Sequence, residues 1–118
     1  MDSEFISVVV DNNPKSLAAK DKLKMSVVPV EALKELARVM NNGADKYGKL
    51  NWRKDGITTS TYYDAIERHL MAWFTGEDMD PDSGLHPLAH IAASCLIVMD
   101  AELHNTLTDD RGEGKRHE

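Results

Sequence analysis

The stretch from Leu88 to Met99 decides most of what this chain can become. It reads Leu-Ala-His-Ile-Ala-Ala-Ser-Cys-Leu-Ile-Val-Met, apolar at nearly every step. Leu88, Ile91, Ala92, Cys95, Leu96 and Met99 recur at three- and four-residue intervals, which is helical spacing. Ile97 and Val98 widen that face until little of the circumference is left for water. A helix apolar almost all round belongs in the centre of a bundle. The run is shorter than the roughly 20 residues a membrane span needs, and His90 interrupts it. The chain has 118 residues, enough for one domain. A core of that size is modest, so a second copy of the chain is a natural way to cover more apolar surface.

Two further segments supply neighbours for this helix. From about Val30 to Lys46, Leu33, Leu36, Ala37, Met40 and Ala44 form one stripe, while Glu31, Glu35, Arg38 and Asn42 follow another. Pro29 suits the start of that helix. From about Thr61 to Thr75, Tyr62, Ile66, Leu70 and Trp73 form a second stripe, with Thr58 to Thr61 offering N-caps and Gly76 a C-cap. The central helix runs from about His86 to Asn105, with Pro87 in its first turn. Gly48 to Thr59 reads as a loop, and Glu77 to Gly84 as an acidic, turn-rich one. Residues 1–29 read as an irregular arm, in which Phe5 to Val10 has the pattern of one short strand in need of a partner, and Lys15, Lys20, Lys22 and Lys24 form a basic cluster. Residues 106–118 read as a polar tail. The expected fold is all-α: an oligomeric helical bundle over 30–105 with an N-terminal arm.

Charge narrows the partners. With 14 basic and 20 acidic residues the net charge is −6, against the basic face that nucleic-acid polymers require. A phosphate ligand would need local Lys or Arg, or bridging cations. The single cysteine, Cys95, excludes an intrachain disulfide and a Cys-based zinc cluster; in an apolar helical run it reads as a small core residue. Met-Asp-Ser-Glu at the start lacks a basic region leading into an apolar one, so no signal peptide is expected and the reading is cytoplasmic.

Several groups of residues carry possible chemistry, each with a plainer alternative. Asp64 and Glu67 are three apart, and Glu31 and Glu35 four apart, so each pair can reach one point. Two such pairs on facing helices make an oxygen cage for Mg²⁺ or Mn²⁺; equally, they are surface acids in ion pairs along the helix. His86 and His90, one turn apart, can share a metal such as zinc; equally, His86 is an N-cap and His90 a core histidine satisfied by a carboxylate, with His69 as a structural hydrogen-bonding partner. Asp80, in a loop with Glu77, Asp78 and Asp82, is either a ligand or part of an exposed turn. The segment around Gly43 to Gly48, followed by Asn51-Trp52-Arg53, combines the parts of a nucleotide contact. Lys46 and Arg53 suit phosphate, Tyr47 or Trp52 a base face, and Asn51 a base edge. The alternative is a helix corner plugged by two aromatics. No His-Asp dipeptide, P-loop or dinucleotide-binding glycine motif is present.

Taken in order, Gly43-Ala44-x-Lys46-Tyr47-Gly48, Asn51-Trp52-Arg53, Tyr63-Asp64-Ala65, Arg68-His69-Leu70, Gly76-Glu77-x-x-Asp80-x-x-Ser83-Gly84 and Leu88-Ala89-His90 resemble a phage family of dATP/dGTP diphosphohydrolases (MazZ-like). That family sits among the MazG-like all-α NTP pyrophosphohydrolases. The likeness covers about residues 20–103. It implies a helical bundle, dependence on Mg²⁺ or Mn²⁺, conversion of dGTP or dATP to the monophosphate with loss of two phosphates, and a homodimer or homotetramer that completes its sites across subunits. Mapped onto this chain, Glu35, Asp64 and Glu67, with Asp80 or His90, would hold the metal. Lys46, Arg53 and Arg68 would face phosphate, and Tyr47, Asn51 or Trp52 the purine. The superfamily's E-E-x-x-E and E-x-x-D patterns are incomplete here. Asp64-x-x-Glu67 stands for part of the first, and the second falls near Pro87 to His90, where a histidine replaces a carboxylate. A catalytically silent nucleotide-binding or oligomeric regulatory module is the alternative from another functional class.

Overall fold

The computed structural model describes residues 11–112. Its elements in chain order are α1 (Pro14–Ala18), a 3₁₀ turn (Met25–Val27), α2 (Val30–Tyr47), α3 (Asn51–Asp55), β1 (Ile57–Thr58), α4 (Thr59–Phe74), α5 (Pro87–Leu103) and β2 (Leu107–Thr108). The three long helices fall within two residues of where their periodicity places them. The strand pattern of Phe5 to Val10 lies outside the described residues.

Local chemistry sets the ends of these helices. In the arm, the Asn13 side chain accepts from the backbone N–H groups of Lys15 and Ser16 and starts α1, with Pro14 at the first position. Helix α2 stops at Gly48, whose φ of 94° is open to glycine and strained for other residues. Helix α5 starts at His86, whose Nδ1 accepts from the Leu88 N–H at 3.0 Å, with Pro87 next. His86 is thus an N-cap.

Two segments are more ordered than their sequence suggests. The corner after Gly48 contains α3, and the segment after Asn105 returns to it. β2 pairs with β1 in parallel, Ile57 opposite Leu107 and Thr58 opposite Thr108. The Ile57 N–H donates to Thr106 O at 3.0 Å. Gly56 makes that approach possible, since a Cβ there would lie 3.1 Å from Thr106 O. Just beyond, the Asp110 carboxylate accepts from the backbone N–H of Ser60 at 2.9 Å and from its hydroxyl, placing a negative charge at the N-terminus of α4. Residues 106–110 are therefore a clasp over the α4 start, where the sequence suggested a frayed tail. Two-residue strands paired across some fifty positions carry no repeat that a sequence could show.

Helix α5 is the axis, packed against α4 and α2 and touched by α3 and β2. What it buries is small. Ala89 and Ala93 meet Val39 of α2 in the core, with Leu36, Met40 and Leu85 against them, and Pro87 and Ala101 are fully enclosed. Small side chains let backbones approach closely. The opposite side of α5 is not covered: Leu88, Cys95, Leu96, Met99 and Leu103 are exposed. Cys95 accordingly does not sit in the core as its apolar surroundings suggest; it lines a groove between α4 and α5. No helix is long and apolar enough to cross a membrane among the described residues.

Because Ala101 has no exposed surface, Ala101→Leu adds volume with nowhere to go. It should cost about 1–3 kcal/mol, read as a lower midpoint in urea unfolding; an unchanged midpoint would contradict the close packing at that end of α5.

Candidate functional site

Between the C-terminal half of α2, α3, α4 and α5 lies a cleft of about 610 Å³, within the usual range for small-molecule sites. The two glycines flanking the end of α2 give it an open rim: Gly43, Lys46, Tyr47, Gly48 and Lys49 form one wall. Asn51 and Trp52 of α3, Tyr62 and Ala65 of α4, and His90, Ala93 and Ser94 of α5 complete it. Asn41 and Asn42 add two amides. The polar seam His90–Ser94 on an otherwise apolar helix thus faces this space.

The aromatic and cationic groups divide by availability. Trp52 is 7% exposed and buried as part of the wall, whereas Tyr47 is 69% exposed at the rim. Tyr62, half-buried beneath it, has its phenol pKa raised by burial and then by the nearby Tyr47. Lys46 makes no ion pair with any described residue. Arg53 is committed elsewhere. Its Nε and a terminal nitrogen clamp Asp100 of α5 at 2.7 and 2.9 Å, and the Trp52 indole N–H donates to the same carboxylate at 2.7 Å. Arg53, then Trp52, hold the Asp100 carboxyl far below the usual carboxylate range. Asp100 therefore fastens the α3 wall to α5, a role not visible in a sequence where the partners lie 47 and 48 positions apart.

At the α4–α5 end a second polar group meets the cleft through His90. Asp80 Oδ2 accepts from the backbone N–H groups of Asp82 and Ser83 at 3.1 and 2.9 Å and lies 3.1 Å from Ser83 Oγ. Ser83 Oγ is 2.7 Å from His90 Nε2. The His69 ring stacks on His90, centroids 4.5 Å apart and planes 8° from parallel, and its Nδ1 is 3.7 Å from Asp80 Oδ1. Burial opposes the Asp80 charge, but the Ser83 backbone and hydroxyl, His90 and the Asp82 backbone outweigh it and hold its pKa low. For His90, burial first, then His69 and Lys46, lower the pKa against the pull of Asp80. Ser83 is the link, and in the sequence it stands out only as part of the acidic, turn-rich loop.

The remaining expected residues lie elsewhere. Glu35 pairs with Arg38 at 2.9 Å, and Glu31 with Lys34 at 3.5 Å, as ordinary ion pairs along α2. Asp64, Glu67 and Arg68 do not line the cleft, although Ala65 between them does. Asp64 is exposed and makes no hydrogen bond or ion pair with a described residue. Glu67 interacts with the Tyr63 hydroxyl one turn back, the first cause of that phenol's raised pKa. Among the described residues no three His, Cys, Asp or Glu side chains converge as a metal site.

Residues 12–111 match the family described as dATP/dGTP diphosphohydrolase, N-terminal. The chain belongs to that family. It is 31% identical over 90 residues to a dATP/dGTP diphosphohydrolase of Salmonella phage PMBT28, an alignment covering 76% of this chain and 30% of that protein. The chain thus spans less than a third of that relative's length. No solved structure matches it. Of the residues that carried the resemblance, Lys46, Tyr47, Asn51, Trp52, Ala65 and His90 line the cleft, while Arg53, Asp64 and Arg68 do not.

The Asp100 clamp has a pH signature. A carboxyl whose pKa is depressed by folding stabilises the fold above its unfolded value of about 3.9 and loses that contribution as pH falls toward the folded value. Asp100→Asn should lower the thermal midpoint at neutral pH and shift Trp52 fluorescence. The gap from wild type should narrow progressively below about pH 4; a gap independent of pH would exclude the ionised clamp.

Proposed function

We propose that this protein hydrolyses dGTP, dATP or both to the nucleoside monophosphate, releasing two phosphates, with Mg²⁺ or Mn²⁺, in phage purine nucleotide metabolism. The observation that carries this reading is the cleft, which offers an unpaired Lys46 and an exposed aromatic ring at one rim in a member of this family. Lys46 takes phosphate oxygens. Tyr47, the ring with an open face, stacks on the purine, while Asn51 meets its edge. Trp52 and Arg53 act through the wall they build with Asp100. Water adds to the α-phosphorus, and the bridging oxygen leaves with the two outer phosphates.

The divalent ion, when bound, neutralises the triphosphate and activates the attacking water. One chain does not assemble the expected ligands Glu35, Asp64, Glu67, Asp80 and His90 around a point. Magnesium commonly needs only one or two carboxylates beside phosphate oxygens and water, and on this reading Asp64 and Glu67, three apart on α4, would supply them. They stand on a face of α4 beside Tyr63, Leu70 and Phe74, exposed by 59, 41 and 81%. Tyr63 shares a groove with Cys95 and Met99 of α5, so the exposed stripes of both helices lie on one side. A two-helix apolar face of that kind suits a second copy, giving the MazG-like bundle as a homodimer, or a homotetramer built from it, with sites completed between chains.

Two measurements test this reading. Each dNTP is incubated with Mg²⁺ or Mn²⁺ and the products identified by mass. Monophosphate from dGTP or dATP, lost on chelation, is expected. Nucleotide-dependent stabilisation without product would instead support a silent binding module. Light scattering should give two or four times the chain mass, and Phe74→Glu should shift it toward one; a monomeric wild type would remove the proposed interface.

A further inference from the structure

We infer that Ser83 sets the tautomer of His90, placing the ring proton on Nε2 and leaving the Nδ1 lone pair as the acceptor offered to the cleft. The argument is a count of protons around one oxygen. A serine hydroxyl has one proton and two lone pairs. Ser83 Oγ has three partners: the Leu85 N–H at 3.1 Å, Asp80 Oδ2 at 3.1 Å and His90 Nε2 at 2.7 Å. The Leu85 N–H can only donate, so it occupies one lone pair. Asp80 as a carboxylate can only accept, and its Oδ2 already gathers two backbone N–H groups, so the hydroxyl proton goes to Asp80. One lone pair is left, and it needs a donor, which is His90 Nε2–H. The reverse arrangement, with Oγ–H aimed at a bare Nε2, leaves Oγ facing Asp80 Oδ2 at 3.1 Å with no proton between them.

The surroundings hold the ring in that orientation. His69 covers one face in parallel, and the loop is closed by Asp80 N–H to Leu85 O and Gly84 N–H to Asp80 O, both 2.8 Å. His90 Nδ1 makes no hydrogen bond with a described residue, yet His90 lines the cleft. Nε2 is therefore closed to ligands, and Nδ1 is the atom that can receive a hydrogen bond from a water or from an N–H or O–H of a bound nucleotide. Ser83 and Asp80 are positioning residues for it. The catalytic consequence rests on the hydrolase reading above; the tautomer does not.

The experiment separates the two. Long-range ¹H–¹⁵N correlation spectra of the full chain at about pH 8, above the ordinary histidine pKa of about 6.5, report the tautomer without nucleotide, with His90 resonances assigned by their loss in His90→Gln. A protonated-type Nε2 and a bare-type Nδ1 are expected. Ser83→Ala should lose that fixed pattern and Ser83→Thr should keep it. In turnover assays Ser83→Ala should lower kcat roughly 10–100-fold, the size of loss seen when a metal-ligating histidine loses its outer partner, with KM little changed and with restoration in Ser83→Thr. A protonated Nδ1 in the wild type, or a pattern unmoved by Ser83→Ala, overturns the inference. A correct tautomer in a protein that turns over no nucleotide overturns the hydrolase reading alone.

Discussion

The close approach of α2 and α3 to α5 governs the rest of the molecule, and it depends on which positions of α5 are small. Beyond Pro87 in its first turn, the residues it buries are Ala89, Ala93 and Ala101. With a leucine at each, α2 would be held off and the cleft floor filled, because Ala93 and Ser94 line that floor. Ile97 joins them at the cleft, while Leu88, Met99 and Leu103 remain exposed elsewhere on α5. One helix thus gives a small-residue face to the cleft and leaves bulky side chains exposed elsewhere. The near-uniform apolarity read in the sequence hides this division, since alanine and leucine count alike in a hydrophobic pattern.

That distinction explains what could be read in advance. The long helices carry several turns of repeat, so the stripes through Leu36 and Met40 or Tyr62 and Ile66 fix them. Helix α3 has five residues and begins after Leu50 in a left-handed conformation, φ 56°; it is held by the Asp100 clamp, a contact with no local trace. The clasp of residues 106–110 depends likewise on partners around Ile57 and Ser60. The cleft was better signalled. Lys46, Tyr47, Asn51, Trp52 and His90 all line it. The assignment of roles within the cleft was harder. Arg53 has the right chemistry for phosphate, but its guanidinium is occupied by a carboxylate 47 positions away. Asp80 has the right chemistry for a metal, but its Oδ2 is engaged by its own loop and by Ser83, leaving Oδ1 3.7 Å from His69 Nδ1.

The placement of charge bears on how such a site handles a polyphosphate. In a chain of net charge −6 a lysine is easily neutralised by a neighbouring acid. If Asp64 and Glu67 stood beside Lys46, the three would form ion pairs, and phosphate would have to displace a carboxylate before binding. Here the acids lie off the cleft and Lys46 has no anionic partner among the described residues. The charge of Lys46 also helps lower the His90 pKa. A neutral imidazole with one nitrogen tied to Ser83 offers a lone pair rather than another positive charge. On the proposed reading, phosphate attraction falls to Lys46, and His90 is free to accept a hydrogen bond. The Asp100 clamp fixes the α3 wall on one side of the cleft, and the Asp80–Ser83 loop fixes His90 on the other.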